Sequence, residues 1–410
     1  MSRIEELIRE KCPDGVEYKR IESLVTYKRG KGLSKDDKGT GDNPIILYGE
    51  LYTTYGDYIN TIVSYASDEA ILTSVKIHKG DVVLPISSTT KEAQIGKASV
   101  LRCDNASLSG DAVAFTPQLE IMAEYLMYVM NSGFFENSKM KCVKGVTIRH
   151  LDAFKMMLIE IPVPPIEVQQ EIVRILDKFT ELEAELQAEL DARKKQYEYY
   201  RDKLLNFGDN VEYRSLGDSC YIKARIGWQK LNKSEYLSEG DYYLVTGVNI
   251  TKANRVNFDE CYFVSKERYE MDVNIQLQNG DIIITKDGTI GKVALIEEMD
   301  KPAVLNSHLF VIRDITGKLN HKFLLYVFLS NYFTRFVEGN KTSGTIAGLN
   351  QATMVKFNIP FPSLDEQERI VEILDKFVQL IERLTKEIEI RHKQYEYYRD
   401  KLLTFKRKEV

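Results

Sequence analysis

The sequence predicts an α+β fold, in which two pseudo-repeated α/β domains with twisted β-sheets are separated by two long helices that form an antiparallel coiled coil. Three observations predict this fold. The chain of 410 residues contains one internal repeat. Each copy ends in a long segment with helical periodicity. The rest of each copy consists of short apolar runs between Gly-rich turns, which is typical of strands.

The internal repeat determines the domain organisation. Residues 161–207 and 359–405 align without a gap, and 27 of the 47 positions are identical. Upstream of these segments the two copies have diverged. This contrast favours a shared scaffold that presents two different recognition surfaces. Drift in two purely structural domains is the alternative.

The nearly identical part of each copy is predicted to be one long helix. Proline clusters at 162–165 and 360–362 precede it, as expected where a helix begins. Apolar residues then recur at alternating spacings of three and four, which is the seam of a coiled coil. A helix of about 38 residues would be a rod of roughly 57 Å. The predicted helix-pairing residues are Ile172, Ile175, Phe179, Leu182, Leu186, Ile370, Ile373, Phe377, Leu380 and Leu384.

Antiparallel pairing of the two rods within one chain would bury both seams and place a globular domain at each end. A coiled coil between two copies of the chain is the alternative. The end of each rod carries the same ten residues, 196–205 and 394–403. Two identical aromatic and charged patches suggest docking of two copies of one partner protein, although packing against the domains is also open. The candidate partner-docking residues are Tyr197, Tyr199, Tyr200, Tyr395, Tyr397 and Tyr398.

In the diverged parts we expect strands at 81–84, 243–245 and 281–284, and helices near 123–131 and 322–330. No apolar run approaches the roughly 20 residues needed to span a bilayer. The charged first ten residues do not resemble a signal peptide. We therefore expect a cytoplasmic protein. The five scattered cysteines are expected to be reduced and structural.

A net charge of −5 argues against nucleic-acid binding, yet its distribution matters more than its sum. Residues 167–207 hold ten acids and seven bases, so −3 of this charge lies on one helix. Local basic patches therefore remain compatible with the composition.

Signatures of catalysis are absent from the sequence. Residues 288–292 resemble a phosphate-binding loop, but the first glycine and the Ser or Thr of that motif are missing. Residues 13–19 contain a Pro-Asp and a Glu-x-Lys that lie too close together for a nuclease site. The histidines lack metal-ligand spacing. We expect no catalytic residue, no metal and no cofactor in this chain.

Polar, basic loops recur at matching places in the two copies, at 27–35 and 221–230, at 87–91 and 285–289, and at 144–149 and 341–346. Bases beside aromatics and glycine suit contact with phosphates, and Ser, Thr and Asn can bond to bases. Solvated surface is the alternative for each loop. The candidate DNA-binding residues are Lys28, Arg29, Lys31, Lys35, Ser88, Thr89, Thr90, Lys91, Lys97, Lys144, Thr147, Arg149, Lys223, Arg225, Trp228, Lys230, Lys286, Asp287, Thr289, Lys292, Asn306, His308, Lys341, Thr342, Ser343 and Thr345.

The whole chain resembles the specificity subunits of type I restriction–modification systems. The resemblance lies in the strand that follows Gly-Asp, the segment 286–292, the Gly-Thr-Ile turn, and the helix openings IPVPPIEVQQEI and IPFPSLDEQERI. Val168 departs from the acid-Glu-Gln pattern that 365–367 keeps, which leaves the role of that position in doubt. The resemblance implies target-recognition domains at 1–158 and 208–356 and helical spacers at 159–207 and 357–410.

The resemblance further implies a bipartite, asymmetric target on double-stranded DNA, with each domain reading one half and the helices setting the gap. The implied partners are two methyltransferase subunits and restriction/translocase subunits. S-adenosylmethionine, ATP and magnesium would belong to those partners. A two-domain protein–protein scaffold is the alternative, and a stand-alone nuclease or methyltransferase is a third class that the absent motifs disfavour.

Overall fold

The computed structural model describes residues 3–88, 94–225, 231–342 and 348–409. The chain divides into two compact units, Met1–Gln187 with Lys386–Val410, and Ala188–Thr385. Each unit therefore contains part of both long helices. The predicted domain boundaries instead follow the repeat, and they stay a prediction.

The first unit is a mixed α/β domain that continues into the first long helix, and it also contains the end of the second long helix. Its elements are α1 (Arg3–Lys11), β1 (Glu17–Arg20), β2 (Val25–Arg29), β3 (Asn43–Ile46), α2 (Glu50–Thr53), β4 (Tyr58–Ile59), β5 (Ser64–Ala66), α3 (Asp68–Ile71), β6 (Val75–Ile77), β7 (Val82–Pro85), β8 (Ser87–Ser88), β9 (Ser99–Leu101), β10 (Ala106–Leu108), β11 (Ala112–Pro117), α4 (Ala123–Met130), α5 (Gly133–Met140), β12 (Val143–Lys144), β13 (Arg149–Leu151), α6 (Ala153–Met157), β14 (Glu160–Val163) and the first part of α7 (Ile166–Leu204).

Its central sheet has the strand order β2-β11-β7-β9-β4, and a second sheet has the order β5-β3-β10-β6. In the central sheet β11 pairs antiparallel with β2 and β7, and in the second sheet β10 runs parallel to β3. A small third sheet, β12-β13-β8, carries a hairpin, and β1 pairs with β14 just before α7 begins.

The second unit repeats this plan. Its elements are the rest of α7, β15 (Tyr213–Ser215), α8 (Leu216–Ser219), β16 (Cys220–Lys223), β17 (Tyr242–Val245), β18 (Tyr262–Val264), α9 (Lys266–Glu270), β19 (Ile282–Thr285), β20 (Val293–Leu295), β21 (Ala303–Leu305), β22 (Leu309–Asp314), α10 (His321–Leu329), α11 (Asn331–Asn340), α12 (Gln351–Met354), β23 (Asn358–Pro360) and the first part of α13 (Leu364–Leu402).

The central sheet of the second unit has the order β16-β22-β19-β20, and β18-β17-β21 forms its second sheet. Strand β22 pairs antiparallel with β16 and β19, as β11 does with β2 and β7. Strand β17 runs parallel to β21, as β3 does to β10. The two units therefore share the order and direction of their first four central strands, as the repeat predicts, and the first unit adds β4 at the edge of its central sheet.

Side chains of the central strands alternate between two cores, because successive residues of a strand point to opposite faces. In β19, Ile282 and Ile284 join the core that α10 covers, and Ile283 joins the core of the second sheet. Strand β7 divides its residues in the same way. Burial on both faces explains why these strands are continuous apolar runs rather than alternating ones.

The α+β class, the two repeated domains, the predicted strands and helices, and the two long helices are confirmed. Both long helices contain 39 residues. No helix in the described parts of the chain is both long and apolar enough to cross a membrane.

Candidate nucleic-acid interface

The loop that follows β19 in the second unit is held in a closed shape by one threonine. The Thr285 hydroxyl donates to the carbonyl oxygen of Thr289 at 2.5 Å and accepts from the amide of Lys292 at 2.9 Å. Gly288 and Gly291 adopt φ of +69° and +85°, which favours glycine. Thr289 and Lys292 are consequently presented on a shaped, exposed turn.

Four residues of the second unit that were predicted to contact DNA lie together beside this turn. They are Lys286, Asp287, Asn306 and His308. His308 Nδ1 lies 2.5 Å from Asp287 Oδ1, and the Lys286 amide donates to the carbonyl of His308 at 3.0 Å. Asn306 Oδ1 accepts from the His308 amide at 3.0 Å. The Leu349 amide closes the group by donating to the Lys286 carbonyl at 2.7 Å. This cluster offers a cation, a carboxylate and an imidazole at one end of the central sheet, which suits hydrogen bonding to base edges.

Arg225 lies in the interior of the second unit. Its side chain is buried, and its Nε and Nη2 donate to the carbonyl oxygen of Leu305 at 3.2 and 3.1 Å. Burial lowers the pKa of this guanidinium from its ordinary value. In this structure Arg225 joins the end of β16 to the end of β21 rather than facing solvent.

Lys28 of the first unit is also engaged internally. Its Nζ lies 3.0 Å from Asp81, a buried carboxylate that accepts from the Thr116 hydroxyl at 2.6 Å. In the second unit Arg313 takes the place of this lysine, on a different strand, and binds Asp281 at 2.6 and 2.7 Å. The Gly-Asp turn in each copy is therefore an anchor for the central sheet.

The other candidates of the first unit lie mostly at the surface. Arg29, Lys31, Lys35, Lys144 and Thr147 are exposed. Ser88 is buried next to Arg149, its partner in the strand pairing, and Lys97 lies 3.9 Å from Asp57.

Three more candidates of the second unit lie among the described residues, namely Lys223, Lys341 and Thr342. Lys223 is half-buried near the Tyr221 ring, and Lys341 pairs with Glu338 at 2.6 Å. Thr342 is exposed and its hydroxyl accepts from the Gly348 amide at 3.0 Å. The candidates Thr89, Thr90, Lys91, Trp228, Lys230, Ser343 and Thr345 lie outside the described residues.

The predicted helix seam divides between domain packing and helix pairing. Ile172 and Ile370 are fully buried in the cores of their units. Phe179 stacks on Tyr398, with centroids 5.7 Å apart, and Phe377 stacks on Tyr200 at 5.5 Å. Ile175 and Ile373 are half-buried, as are Leu186, Leu380 and Leu384, whereas Leu182 is exposed.

Within the first unit the two helices run antiparallel. Phe179 lies against Tyr395 and Tyr398, while Glu183, one turn later, lies 3.4 Å from His392, which precedes them in α13.

The six candidate docking tyrosines fall into three matched pairs. Tyr197 and Tyr395 pack inward, against Tyr326 and Phe179 respectively. Tyr200 and Tyr398 stack on the opposite helix and keep part of each ring exposed. Tyr199 and Tyr397 are 61% and 62% exposed, so they alone present most of the ring to solvent.

Sequence reasoning missed the residues that fix each helix to its domain. Gln169 is fully buried, accepts from the Met122 amide at 2.9 Å and donates to the Pro164 carbonyl at 2.8 Å. Gln367 makes the corresponding bonds to Asn320 and Pro362. The signal was present, because among the first six residues of the two long helices, 166–171 and 364–369, this glutamine alone is identical.

Val168, at the position left in doubt, is fully buried in the core of the first unit. Glu366, its counterpart, is half-buried and pairs with Arg369 at 2.7 Å. The departure from the pattern is therefore a change from a surface ion pair to an apolar contact. Across the described ranges, no cluster of His, Cys, Asp and Glu could hold a metal ion.

The chain is similar in sequence and in fold to proteins of one known family. A family model described as the type I restriction modification DNA specificity domain matches residues 13–192 and again 208–391. The specificity subunit of the type I restriction enzyme EcoR124I/EcoR124II of Escherichia coli is 35% identical over 259 residues, which cover 61% of this chain and 62% of that protein. The chain thus spans less than two thirds of that relative's length.

The specificity subunit of the MjaVIII type I restriction enzyme of Methanocaldococcus jannaschii is 25% identical over 429 residues, covering 97% of this chain and 94% of that protein. A crystal structure of the S subunit of a type I restriction–modification system from M. genitalium is 14% identical, has a TM-score of 0.53 and covers 95% of this chain and 96% of that chain. At that identity the structure supports the fold alone. Since the family model matches twice, in the order of the repeat, the chain belongs to the family of type I restriction modification DNA specificity domains.

Proposed function

We propose that this chain is the DNA sequence-specificity subunit of a type I restriction–modification complex, in which each domain reads one half of a bipartite, asymmetric target. The helices would set the gap between the halves and dock methyltransferase subunits. The chain itself would be a non-catalytic recognition subunit.

One observation carries the proposal. The same strand topology occurs twice, and the turns that follow equivalent central strands carry different side chains. After β19 the turn carries Lys286, Asp287 and Thr289, whereas after β7 the chain continues into the Ser87–Ser88 strand. To read two different half-sites, two domains of the same fold need different polar side chains in the turns that face the DNA.

The partners follow from this role. Double-stranded DNA would bind across the loop ends of both domains. Two methyltransferase subunits would bind the matched surfaces around Tyr199 and Tyr397, which the repeat makes equivalent and whose rings are exposed. Restriction/translocase subunits would join the assembled complex, and S-adenosylmethionine, ATP and magnesium would be held by the partners. The complex would act in the cytoplasm.

The first experiment is methylome sequencing of a methylation-free host that expresses this chain with its methyltransferase subunit. A split adenine-methylated motif that disappears when this chain is omitted is the expected result. No new methylation, with a methyltransferase that is active beside another specificity subunit, would contradict the proposal. It would favour the protein–protein scaffold instead.

A further inference from the structure

The hairpin between β12 and β13 of the first unit carries two exposed apolar side chains at its tip. Val146 is 85% exposed and Ile148 is 50% exposed. Both are β-branched and stiff, so little side-chain entropy is lost when they are ordered against a partner. Scattered single apolar residues are normal on a surface, but two on one four-residue tip form a patch.

The tip is rigidly attached to the domain. Val143 pairs with Leu151 and Lys144 with His150, while Arg149 and His150 pair with β8 on the other side. The His150 ring lies 2.8 Å from the Ser87 hydroxyl, and the Tyr52 hydroxyl donates to the Ser87 carbonyl at 2.8 Å. The patch therefore stands on a braced strand and not on a loose loop.

The turn itself requires a glycine. Gly145 has φ of +94°, and a Cβ atom there would lie 2.0 Å from the carbonyl oxygen of Ile148. No other residue would fit without moving the backbone. The turn fixes the spacing of Val146 and Ile148.

The charged residues of the hairpin sequence are all of one sign. Residues 141–151 contain Lys141, Lys144 and Arg149 and no acid, in a chain of net charge −5. No described carboxylate lies within ion-pair distance of these three cations. A basic ribbon with an apolar tip is complementary to a polyanion that also offers apolar groups.

Double-stranded DNA is a polyanion that offers apolar groups in its major groove. The major groove admits a two-stranded β-ribbon, its walls are phosphates, and its floor carries the C5-methyl groups of thymines. We propose that Val146 and Ile148 read thymine methyl groups in the half-site of the first domain, with Lys144 and Arg149 on the flanking phosphates. This inference rests on the proposed function and adds to it the chemical group that is recognised.

The equivalent loop of the second copy reads Lys341-Thr342-Ser343-Gly344-Thr345-Ile346. Its residues 343–347 lie outside the described parts of the chain. At the offset of the repeat it has Ser343 and Gly344 where the first copy has Gly145 and Val146, so of the two apolar residues only Ile148 has an apolar counterpart, Ile346. We therefore assign the recognition of thymine methyl groups by two apolar side chains to the first domain alone. The half-site of the second domain then serves as an internal control.

The test is a double-mutant cycle between the protein and the DNA. We would measure the affinity of the complex of this chain with its methyltransferase subunit for DNA duplexes that carry the target sequence found by methylome sequencing. In each duplex one thymine is replaced by deoxyuridine. This replacement removes one methyl group and no hydrogen bond. The protein variants are V146S/I148S and, as matched control, L119S, because Leu119 is a fully exposed apolar residue of the same unit that lies outside the hairpin.

For the unmodified chain we expect a loss of affinity of about four-fold at one or two thymines of the first half-site, the value for burying one methyl group. V146S/I148S should bind the thymine duplex about 5- to 20-fold more weakly and should not respond to deoxyuridine. L119S should behave as the unmodified chain, and deoxyuridine in the second half-site should act equally on all three proteins.

Equal losses in the unmodified chain and in V146S/I148S, or indifference of the unmodified chain at every thymine of the first half-site, would overturn the inference. So would a weaker co-purification of V146S/I148S with the methyltransferase subunit, since the patch would then be a protein contact. These results leave target methylation by the unmodified chain intact. Failure of the proposed function is different, because the unmodified chain would then direct no methylation and both proposals would fall.

Discussion

Tyr128 donates its hydroxyl hydrogen to Asp177 at 2.6 Å, and at the same place in the second unit Tyr326 donates to Asp375 at 2.5 Å. Each pair joins a domain helix, α4 or α10, to the long helix that follows that domain. Burial and the neighbouring carboxylate raise the pKa of both tyrosines above the ordinary value, so each remains a donor at neutral pH. The long helix is thus fixed in rotation relative to the domain it leaves.

Removal of this carboxylate should loosen the helix from the first domain. Tyr58 also donates to Asp177, so D177A removes the acceptor of two tyrosine hydroxyls and a carboxylate that lies 3.7 Å from Arg102. We expect a loss of about 1–3 kcal/mol in the free energy of unfolding and faster hydrogen exchange at the start of α7. E181A, at an exposed position one turn later, is the control and should change neither. Unchanged exchange in D177A would show that apolar packing and the hydrogen bonds of Gln169 hold the helix without Asp177.

The buried carboxylate of the Gly-Asp turn should matter more than a surface ion pair. Asp281 is fully buried and binds the half-exposed Arg313 through two hydrogen bonds. D281A should reduce the free energy of unfolding by about 2–4 kcal/mol, because it leaves a guanidinium partly buried without its counter-ion. E297Q removes the exposed partner of Arg255 and should cost less than about 1 kcal/mol. Equal effects in urea unfolding would refute the anchoring role of Asp281.

The cysteines should differ in reactivity according to burial. Burial raises the pKa of Cys220 and of Cys261 to about 12, whereas Cys103 is only half-buried. At pH 8 we expect a thiolate-specific reagent to label Cys103 first and to reach Cys220 and Cys261 only after unfolding. Mass spectrometry of the labelled peptides measures the order.

The same shifts give a pH dependence of stability. A thiol whose pKa is raised in the folded state contributes stability that is complete below pH 9 and is lost as the pH rises towards 12. C220A should therefore lose less stability than the unmodified chain between pH 9 and 12. Early labelling of Cys220 at pH 8 would contradict both expectations.

The elements predicted from the sequence were those whose signal is local or repeated. The apolar run at 281–284 and its copy at 81–84 became β19 and β7, because strands buried on both faces need apolar residues throughout. The seam was assigned to helix pairing throughout, yet Ile172 and Ile370 serve the domain cores. Periodicity identifies the apolar face of a helix but not the surface that covers it.

The candidate interface was harder to predict for a related reason. Lysine and arginine in a loop are equally suited to a phosphate and to a carboxylate of the same chain. Lys28 and Arg225 occur in matching basic loops, but the first binds Asp81 and the second donates to a backbone carbonyl. Those partners are distant in sequence, so only the fold brings them together. Gln169 and Gln367 could have been found, because identity within divergent surroundings marked them.

The proposed division of labour between the domains predicts the outcome of an exchange. Replacing residues 1–158 with those of a relative should change one half of the methylated target and leave the other half and the gap unaltered. The fold supports this design, since the two units repeat one topology and each has its own cores. Methylome sequencing reads the result, and the reciprocal exchange of 208–356 is the control. A change in both halves would refute independent reading.

The length of the paired helices should set the gap in the DNA target. One seven-residue insertion after Gln187 and another after Thr385, where the chain divides into its units, would lengthen both helices together. Each insertion adds about 10.5 Å, which corresponds to ~3 base pairs of B-DNA. Seven residues preserve the seam, so that contacts such as Phe179 with Tyr398 can persist. We expect both half-sites to remain and the gap in the methylated motif to grow by about three base pairs.

A four-residue insertion in one helix alone is the control, because it rotates the seam and should abolish methylation. An unchanged gap after the paired insertion would show that the helices do not act as the spacer.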